Sequence, residues 1–384
     1  MKKIGIITVS RTYNFGAELQ AFALQYKLNK AGYKAEVIDY LYFKNKRHKT
    51  TVGSKPELYF SKKAKTRSKL KYQFVVPIID TLLPFLHKKT KIRDSNFRLF
   101  HQRYTHFSKE FRTIESLYKA KHEYDVVISG SDQVWNPATF SSLKPYLLDF
   151  VPQATKRITY AASFGVAEVS EEFKHIYSYL FKKLDCIGVR EESGKNLIHQ
   201  IAKRDASIVL DPTLLLNKDD WREVTKELKI GIQKPYILIY DLHSSEPLID
   251  ITNKLQKQLN LPVYRLCKRT FINKKNEGII NIEDAGPSEF IYLFLNATYV
   301  ITNSFHGTVF SANFNIPFKV VLNPERNNNS RITGFLQTIG LSDCIIWEND
   351  NHNNFKTNVD FVTANNVLDN LRNESILFLE KAIN

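Results

Sequence analysis

The sequence predicts an α/β protein built from two halves, each a series of parallel strand–helix units. Three observations carry this. The chain opens with an apolar run, Ile4–Val9, followed by a polar loop, a helical pattern over 17–31 ended by Gly32, and a second apolar run, Ala35–Tyr40. That is the β-loop-α-β opening of a Rossmann-like half. The same succession recurs late in the chain at YVITNSFHGTVF, residues 299–310. There a β-branched run stops at Thr302–Asn303–Ser304, and a helical pattern follows from Phe305. Between the two, Asn217 to Lys234 turns polar before Tyr236–Tyr240 opens a new apolar series. The expected division is a first domain over 1–216, a second over 217–362, and a final helix over 363–384 packing back on the first. A length of 384 residues suits two domains.

Composition narrows the class. Hydrophobic residues make up 43% of the chain, with 26 Phe and 19 Tyr, which supports sizeable cores and argues against disorder. Cys186, Cys267 and Cys344 are widely spaced and form neither a metal-binding pattern nor a disulfide framework, so a reducing cytoplasm is expected. The first apolar run is too short and too soon polar for a signal peptide. No uncharged apolar window of about 18 residues exists, so no transmembrane helix is expected.

The remaining elements follow in order. Phe97, Phe100, Tyr104 and Phe107 recur at helical spacing and read as packing. Strands are expected at Tyr124–Ser129, Arg157–Phe164, Cys186–Val189 and Ile208–Leu210. A helix is expected over 170–184, with Ser170 as a capping residue and Glu171 and Glu172 in its first turn. In the second half the series continues with a helix over 247–259, the strand Val263–Leu266, a helix over 287–296, the strand Tyr299–Ile301 and a helix over 305–313. A strand over 317–321, a helix over 332–339, a short strand over 343–347 and the final helix complete it.

Candidate chemistry gathers where strands end. Ser304 or Thr302 can cap the helix after residue 304, and the free N–H groups there attract anions. His306 is either a satisfied structural histidine at that cap or a group that moves a proton near neutral pH. The strand ending at Ser129 runs into Gly130–Ser131–Asp132, and Asp132 is either a helix cap or a contact for substrate hydroxyls. Arg190 directly follows a buried strand, a costly place for a guanidinium unless it meets Glu191, Glu192 or an anionic ligand. The loop Ser10–Gly16 has one glycine only, so a plain βα turn is its default reading.

Charge is uneven. The chain carries a net +16, and Lys44 to Arg93 alone holds 15 Lys/Arg against Glu57 and Asp80. A nucleic-acid enzyme more often spreads its basic residues around its site, so no nucleic-acid partner is expected. Within this insertion, Tyr72–Leu86 is largely apolar, and Pro77 and Pro84 break any continuous helix across it. Apolar residues beside Lys/Arg suit an anionic bilayer surface, and a solvated basic loop with a short core helix is the other reading.

The chain resembles the polysaccharide pyruvyl transferases. The resemblance lies in Asn14–Phe15–Gly16–Ala17, the run 130–135, Ala161–Gly165, Val189–Arg190–Glu191, Asp211–Pro212–Thr213, Ser304–Phe305–His306–Gly307 and Arg331, all in register over residues 4 to 341. It implies a glycosyltransferase B-like fold, two Rossmann-like domains facing across a cleft. It implies transfer of a pyruvyl group from phosphoenolpyruvate to a sugar of a cell-surface polysaccharide or its lipid-linked precursor, forming a ketal. His306 matches the family's proposed general acid, and Arg190 a donor-binding arginine. Arg331 falls where the family places another basic residue. Ser304, Arg11 and the helix start at Asn14–Gly16 are further donor-side candidates. Asp132 is a candidate proton acceptor, with Ser131 and Asp211 on the acceptor side. Phosphoenolpyruvate is a co-substrate, and no cofactor and no metal are implied. The expected location is cytoplasmic, peripheral at the inner membrane face.

One departure stands out. Many family members carry arginine two residues before the histidine, where this chain has Ser304. Arg11, Lys268, Arg269 and Arg326 are the cations that would take its place. Two other classes compete: a glycosyltransferase using a nucleotide-sugar on the same fold, and a non-catalytic glycan- or membrane-binding protein.

Overall fold

The computed structural model describes residues 1–41, 45, 47, 87–137, 143–267, 275–326, 329–350 and 357–384. Tyr72–Leu86, Lys268 and Arg269 lie outside the described residues, as does most of the basic insertion.

The strands are β1 Lys3–Ile7, β2 Lys34–Val37, β3 Val126–Ser129, β4 Lys156–Ala162, β5 Cys186–Val189 and β6 Ser207–Ile208. They continue as β7 Ile237–Tyr240, β8 Val263–Leu266, β9 Ile279–Ile282, β10 Tyr299–Thr302, β11 Phe318–Leu322 and β12 Ile345–Trp347. The helices are α1 Phe15–Lys30, α2 Lys88–Tyr104, α3 Ile114–Tyr118, α4 Glu171–Phe181, α5 Glu192–Ala202 and α6 Pro212–Leu215. They continue as α7 Lys218–Arg222, α8 Glu246–Leu259, α9 Pro287–Leu295, α10 Phe305–Phe314, α11 Ser330–Thr338 and α12 Val362–Ile383.

Two six-stranded sheets result, ordered β2-β1-β3-β4-β5-β6 and β12-β11-β10-β7-β8-β9, with parallel pairing throughout. The α/β class and the two Rossmann-like halves are therefore as the sequence implies. Inner strands β3, β7, β8 and β10 are buried at every position, because crossover helices cover both faces of a parallel sheet. That burial makes them mostly apolar and legible in the sequence, although β8 carries buried Arg265, which donates to Asn281 and Asn276. Edge strand β9 is only partly buried, offers no such run, and escapes the sequence reading. Ser170 stands at the N-cap of α4 as expected, but its side chain makes no bond to the helix's N–H groups.

The chain divides into two compact units. The first holds Met1–Leu83, Tyr104–Leu215 and Arg372–Asn384, and the second Pro84–Arg103 and Leu216–Leu371. Two details differ from the sequence expectation. Most of α2 belongs to the second unit, although the sequence places it in the first. Its side chains explain why. Buried Arg93 donates to Cys267 O at 2.7 Å and Glu283 O at 3.4 Å, and Asn96 Nδ2 donates to Asp284 O at 3.1 Å. The final helix enters the first unit only from Arg372 onward. There Arg372 Nε donates to Leu214 O at 2.8 Å, and Ser375 Oγ accepts Leu210 N–H at 2.9 Å. A Cβ at Gly188 would meet the Phe378 ring at 2.9 Å, so β5 and the last helix touch at a position that needs glycine.

At the start of α9 the Glu289 carboxylate accepts Gly286 N–H at 2.9 Å. Burial raises its pKa, only partly offset by the backbone hydrogen bonds it accepts. A carboxyl raised in the folded state favours folding below its ordinary value of 4.5 and loses that contribution as pH rises through the folded value. Glu289→Gln keeps an acceptor for Gly286 without the buried charge. It is expected to match or exceed the parent's Tm at pH 7, with the difference vanishing below about pH 4. A lower Tm for the variant at pH 7 would show that the charge itself stabilises the cap.

Candidate active-site residues

In each unit part of the candidate set follows a strand at the topological switch point, where neighbouring strands lead to crossovers on opposite faces: Ser131 and Asp132 follow β3, and Ser304 and His306 follow β10, while Arg190, Asp211 and Arg331 come from elements farther along the sheets. In the first unit the switch point is the junction of β1 with β3, and in the second that of β7 with β10. A threonine side chain bridges both: Thr8 Oγ1 donates to Ser131 O at 2.9 Å, and Thr302 Oγ1 to Tyr240 O at 2.7 Å.

The first unit's cluster is built around one buried ion pair. Arg190, directly after β5, donates through Nη1 to Asp211 Oδ2 at 2.8 Å, and its Nε lies 3.5 Å from Glu191 Oε2. The side chains of Arg190 and Asp211 are 3% and 0% exposed, so the pair is fully desolvated. Burial alone would lower the arginine's pKa, but the charges of Asp211, Glu191 and Asp132 outweigh it and the net shift is upward. The partner left open by the sequence is thus Asp211 together with Glu191. Asp211 is further held by Thr213, whose N–H and hydroxyl donate to Oδ1 at 3.0 and 2.8 Å. The Ser131 hydroxyl reaches Ala161 O at 2.9 Å and Asp211 Oδ2 at 3.2 Å, while its N–H donates to Gln20 Oε1 at 3.0 Å. Both Asp211 and Ser131 are buried inside this network.

Asp132 is different. It is half-buried, with φ at 72°, a left-handed conformation that aspartate tolerates better than most residues. Its Oδ1 accepts Gln133 N–H at 2.8 Å, and its carbonyl accepts Ser163 N–H at 3.0 Å. Ser163 in turn donates to Glu191 Oε1. One guanidinium therefore faces three carboxylates, of which Asp132 is the one held at a partly open turn.

The other first-unit candidates do not join this cluster. Arg11 forms a two-pronged bond with Asp39, Nε to Oδ1 at 3.1 Å and Nη2 to Oδ2 at 2.9 Å, and lies 3.9 Å from the Phe107 ring centre. Its charge is already neutralised, which removes it as a ready replacement for the arginine absent at 304. Asn14 caps α1 by accepting Gly16 N–H at 3.1 Å. Glu18 occupies the same helix's first turn and accepts Thr12 N–H at 2.5 Å. A buried carboxylate already sits at that positive helix end, so the expected phosphate seat is filled by the chain itself.

In the second unit the geometry is organised by α10. Ser304 is its cap: the hydroxyl accepts Gly307 N–H at 3.4 Å, and the Ser304 N–H donates to Thr302 Oγ1 at 3.1 Å. A Cβ on Gly307 would overlap the Thr302 side chain, so glycine lets the helix start press against β10 and fixes where His306 emerges. His306 is half-buried, its ring edge-on to Phe305 with centroids 5.5 Å apart. The Arg331 guanidinium of α11 lies 5.8 Å from the same Phe305 ring centre. Residues 306 and 331 are thus brought to one aromatic ring.

Two features escape sequence reading. Arg93 brings charge toward this cluster: burial raises the pKa of the Tyr240 phenol, while Arg93 and a hydrogen bond with Ser304 pull it back. Asn303 reads the β7 end, accepting Leu242 N–H at 2.8 Å and donating to Asp241 Oδ1 at 2.7 Å. The signal available for Asn303 was its place after a buried strand. None existed for Arg93, which sits in a basic run far away in sequence. Among the described residues no group of three or more His, Cys, Asp or Glu is placed to hold a metal ion.

The sequence model of one family, described as Polysaccharide pyruvyl transferase, matches residues 14–323. No curated protein matches the chain. Among solved structures, the chain is similar to UDP-GlcNAc 2-epimerase from Methanocaldococcus jannaschii, with 12% identity and a TM-score of 0.46 over 96% of this chain and 99% of that one. It is similar to MnaA of S. aureus, solved with UDP, with 13% identity and a TM-score of 0.46 over 100% and 91% of the two chains. It is also similar to the E. coli heptosyltransferase WaaC with ADP, with 11% identity and a TM-score of 0.41 over 97% and 99%.

Proposed function

The chain belongs to the polysaccharide pyruvyl transferase family, and from that premise we propose that it moves a pyruvyl group from phosphoenolpyruvate to a sugar of a cell-surface polysaccharide or its lipid-linked precursor, forming a cyclic ketal. It is a transferase by family membership. The observation that carries the reading is the second unit's pairing of His306 with Arg331 about one phenylalanine ring, at the capped start of α10.

The chemistry asks for that pairing. The methylene carbon of the donor takes a proton and becomes a methyl group, leaving an oxocarbenium-like centre beside a carboxylate. Two sugar hydroxyls attack this carbon in turn, each losing its proton, and the phosphate departs with the donor's C–O bond pair. A general acid is required, and a cation must hold an anionic donor. His306 supplies the acid, and Arg331 with the N-terminal end of α10 attracts the anion. Asp132, half-open and carboxylate-rich in its surroundings, is assigned to accept a hydroxyl proton. Arg190 remains a donor-side candidate. With three carboxylates already acting on it, its contribution to affinity is expected below that of Arg331. Phosphoenolpyruvate enters as co-substrate, and no cofactor is assigned. A cytoplasmic location suits three free cysteines, and an acceptor on a lipid carrier would be met at the inner membrane surface. Among the described residues no helix is long and apolar enough to cross a membrane.

Calorimetric titration tests the donor. Phosphoenolpyruvate is expected to bind saturably, and Arg331→Ala to weaken it by roughly tenfold or more, the loss of a charge-assisted contact. Binding of a uridine diphosphate sugar with no response to phosphoenolpyruvate would replace this reading with that of a nucleotide-sugar glycosyltransferase.

A further inference from the structure

The outer face of α2 carries three cations that pair with no described carboxylate. Ile92 and Leu99, seven residues apart and so on one side of the helix, are 37% and 41% exposed. Lys88 is exposed one turn before Ile92, and Lys91 and Arg98 are exposed about 100° round the helix, on the side that also carries Asp94; no described carboxylate forms an ion pair with any of the three. Lys89 and Arg103, each about one turn from the apolar pair, meet Glu283 at 3.0 Å and Glu227 at 2.9 Å. The opposite face is anchored: Arg93, Phe97 and Phe100 are buried, and Arg93 donates to Cys267 O. The helix therefore cannot roll its apolar pair inward without losing that anchor.

The charges sit where a helix wants them least. The first turn of α2 holds Lys88, Lys89 and Lys91 and no acidic residue. The positive end of the helix dipole repels cations there, and the lysines repel one another. Their placement is unfavourable for the isolated helix and becomes favourable beside a surface of negative charge. The sequence entering α2, from Lys44 onward, adds to the same sign.

We infer that this face of α2 docks on an acidic phospholipid bilayer, with Ile92 and Leu99 entering the headgroup boundary and Lys88, Lys91 and Arg98 meeting lipid phosphates. An apolar pair on an anchored helix, with three cations beside it that form no ion pair among the described residues, is the pattern of an interfacial helix. The inference deepens the membrane part of the proposed function and does not depend on pyruvyl chemistry.

The test is co-sedimentation of the full chain with vesicles of phosphatidylglycerol and phosphatidylcholine, compared with phosphatidylcholine alone. Binding is expected only with the anionic lipid, falling as salt rises. Lys88→Glu/Lys91→Glu/Arg98→Glu is expected to reduce it at least about tenfold, and Ile92→Ser/Leu99→Ser to reduce it as well. Lys88→Glu and Lys91→Glu place acids at the helix start, which offsets the repulsion of Asp94 by the new acids at 91 and 98, so the Tm is expected to stay within a few degrees of the parent's, which separates lost binding from lost folding. Unchanged vesicle binding in both variants would overturn the assignment of this face, whatever the basic stretch before it does. Binding to dextran sulfate or DNA with none to anionic vesicles would overturn the choice of partner. Phosphoenolpyruvate titration of the same variants should be unaltered, so failure of the docking face and failure of the pyruvyl reading are told apart.

Discussion

Replacing His306 with alanine is expected to lower the rate of pyruvyl transfer by about 10²–10⁴-fold, the usual contribution of one positioned general acid, while phosphoenolpyruvate still binds. The geometry separates these two effects. The capping of α10 is done by Ser304 and the close approach to β10 by Gly307, so the helix start does not depend on the imidazole. Arg331 reaches Phe305 independently of residue 306. The imidazole can therefore be removed with the anion-attracting features in place. Initial rates with and without the substitution, together with calorimetric binding of phosphoenolpyruvate, check it. A variant that transfers at near the parental rate would remove His306 from the chemistry and return it to a structural role. Loss of binding in step with loss of rate would make it a donor contact instead of an acid.

The second large effect concerns stability. Arg190→Ala is expected to destabilise the first unit by about 3–5 kcal/mol, because it leaves a fully buried carboxylate without its counter-charge. Asp211 has no exposed side-chain surface, and its Oδ2 faces Nη1 of Arg190 at 2.8 Å. Adding Asp211→Asn to Arg190→Ala removes the stranded charge and is expected to recover part of the loss, a coupling that a double-mutant cycle reads directly. Thermal or urea denaturation of the four proteins provides the measurement. Simple addition of two losses would show that the pair is not a coupled unit. The prediction bears on function too: loss of phosphoenolpyruvate binding in Arg190→Ala is informative only if the variant still folds at the assay temperature.

By itself the sequence determined the α/β class, the succession of strands and helices, and the places where polar residues follow buried strands. The reason is physical. Strands buried on both faces are mostly apolar, and a helix that starts at a strand end favours a small polar cap, so Tyr299–Ile301 and Ser304 are visible in one dimension. His306 and Asp132 were legible for that reason. Three things were decided only in three dimensions. Which partner a cation takes depends on residues distant in the chain: Arg190 meets Asp211 and Arg11 meets Asp39, and neither pairing has a signature in local spacing. Whether a helix start is open depends on what already occupies it, and Glu18 fills the first turn of α1. Which unit α2 joins was set by Arg93 and Asn96 finding the backbone carbonyls of Cys267 and Asp284. Periodicity reports which residues face inward. It cannot report which surface they face, because that surface is assembled from chain segments the pattern never relates.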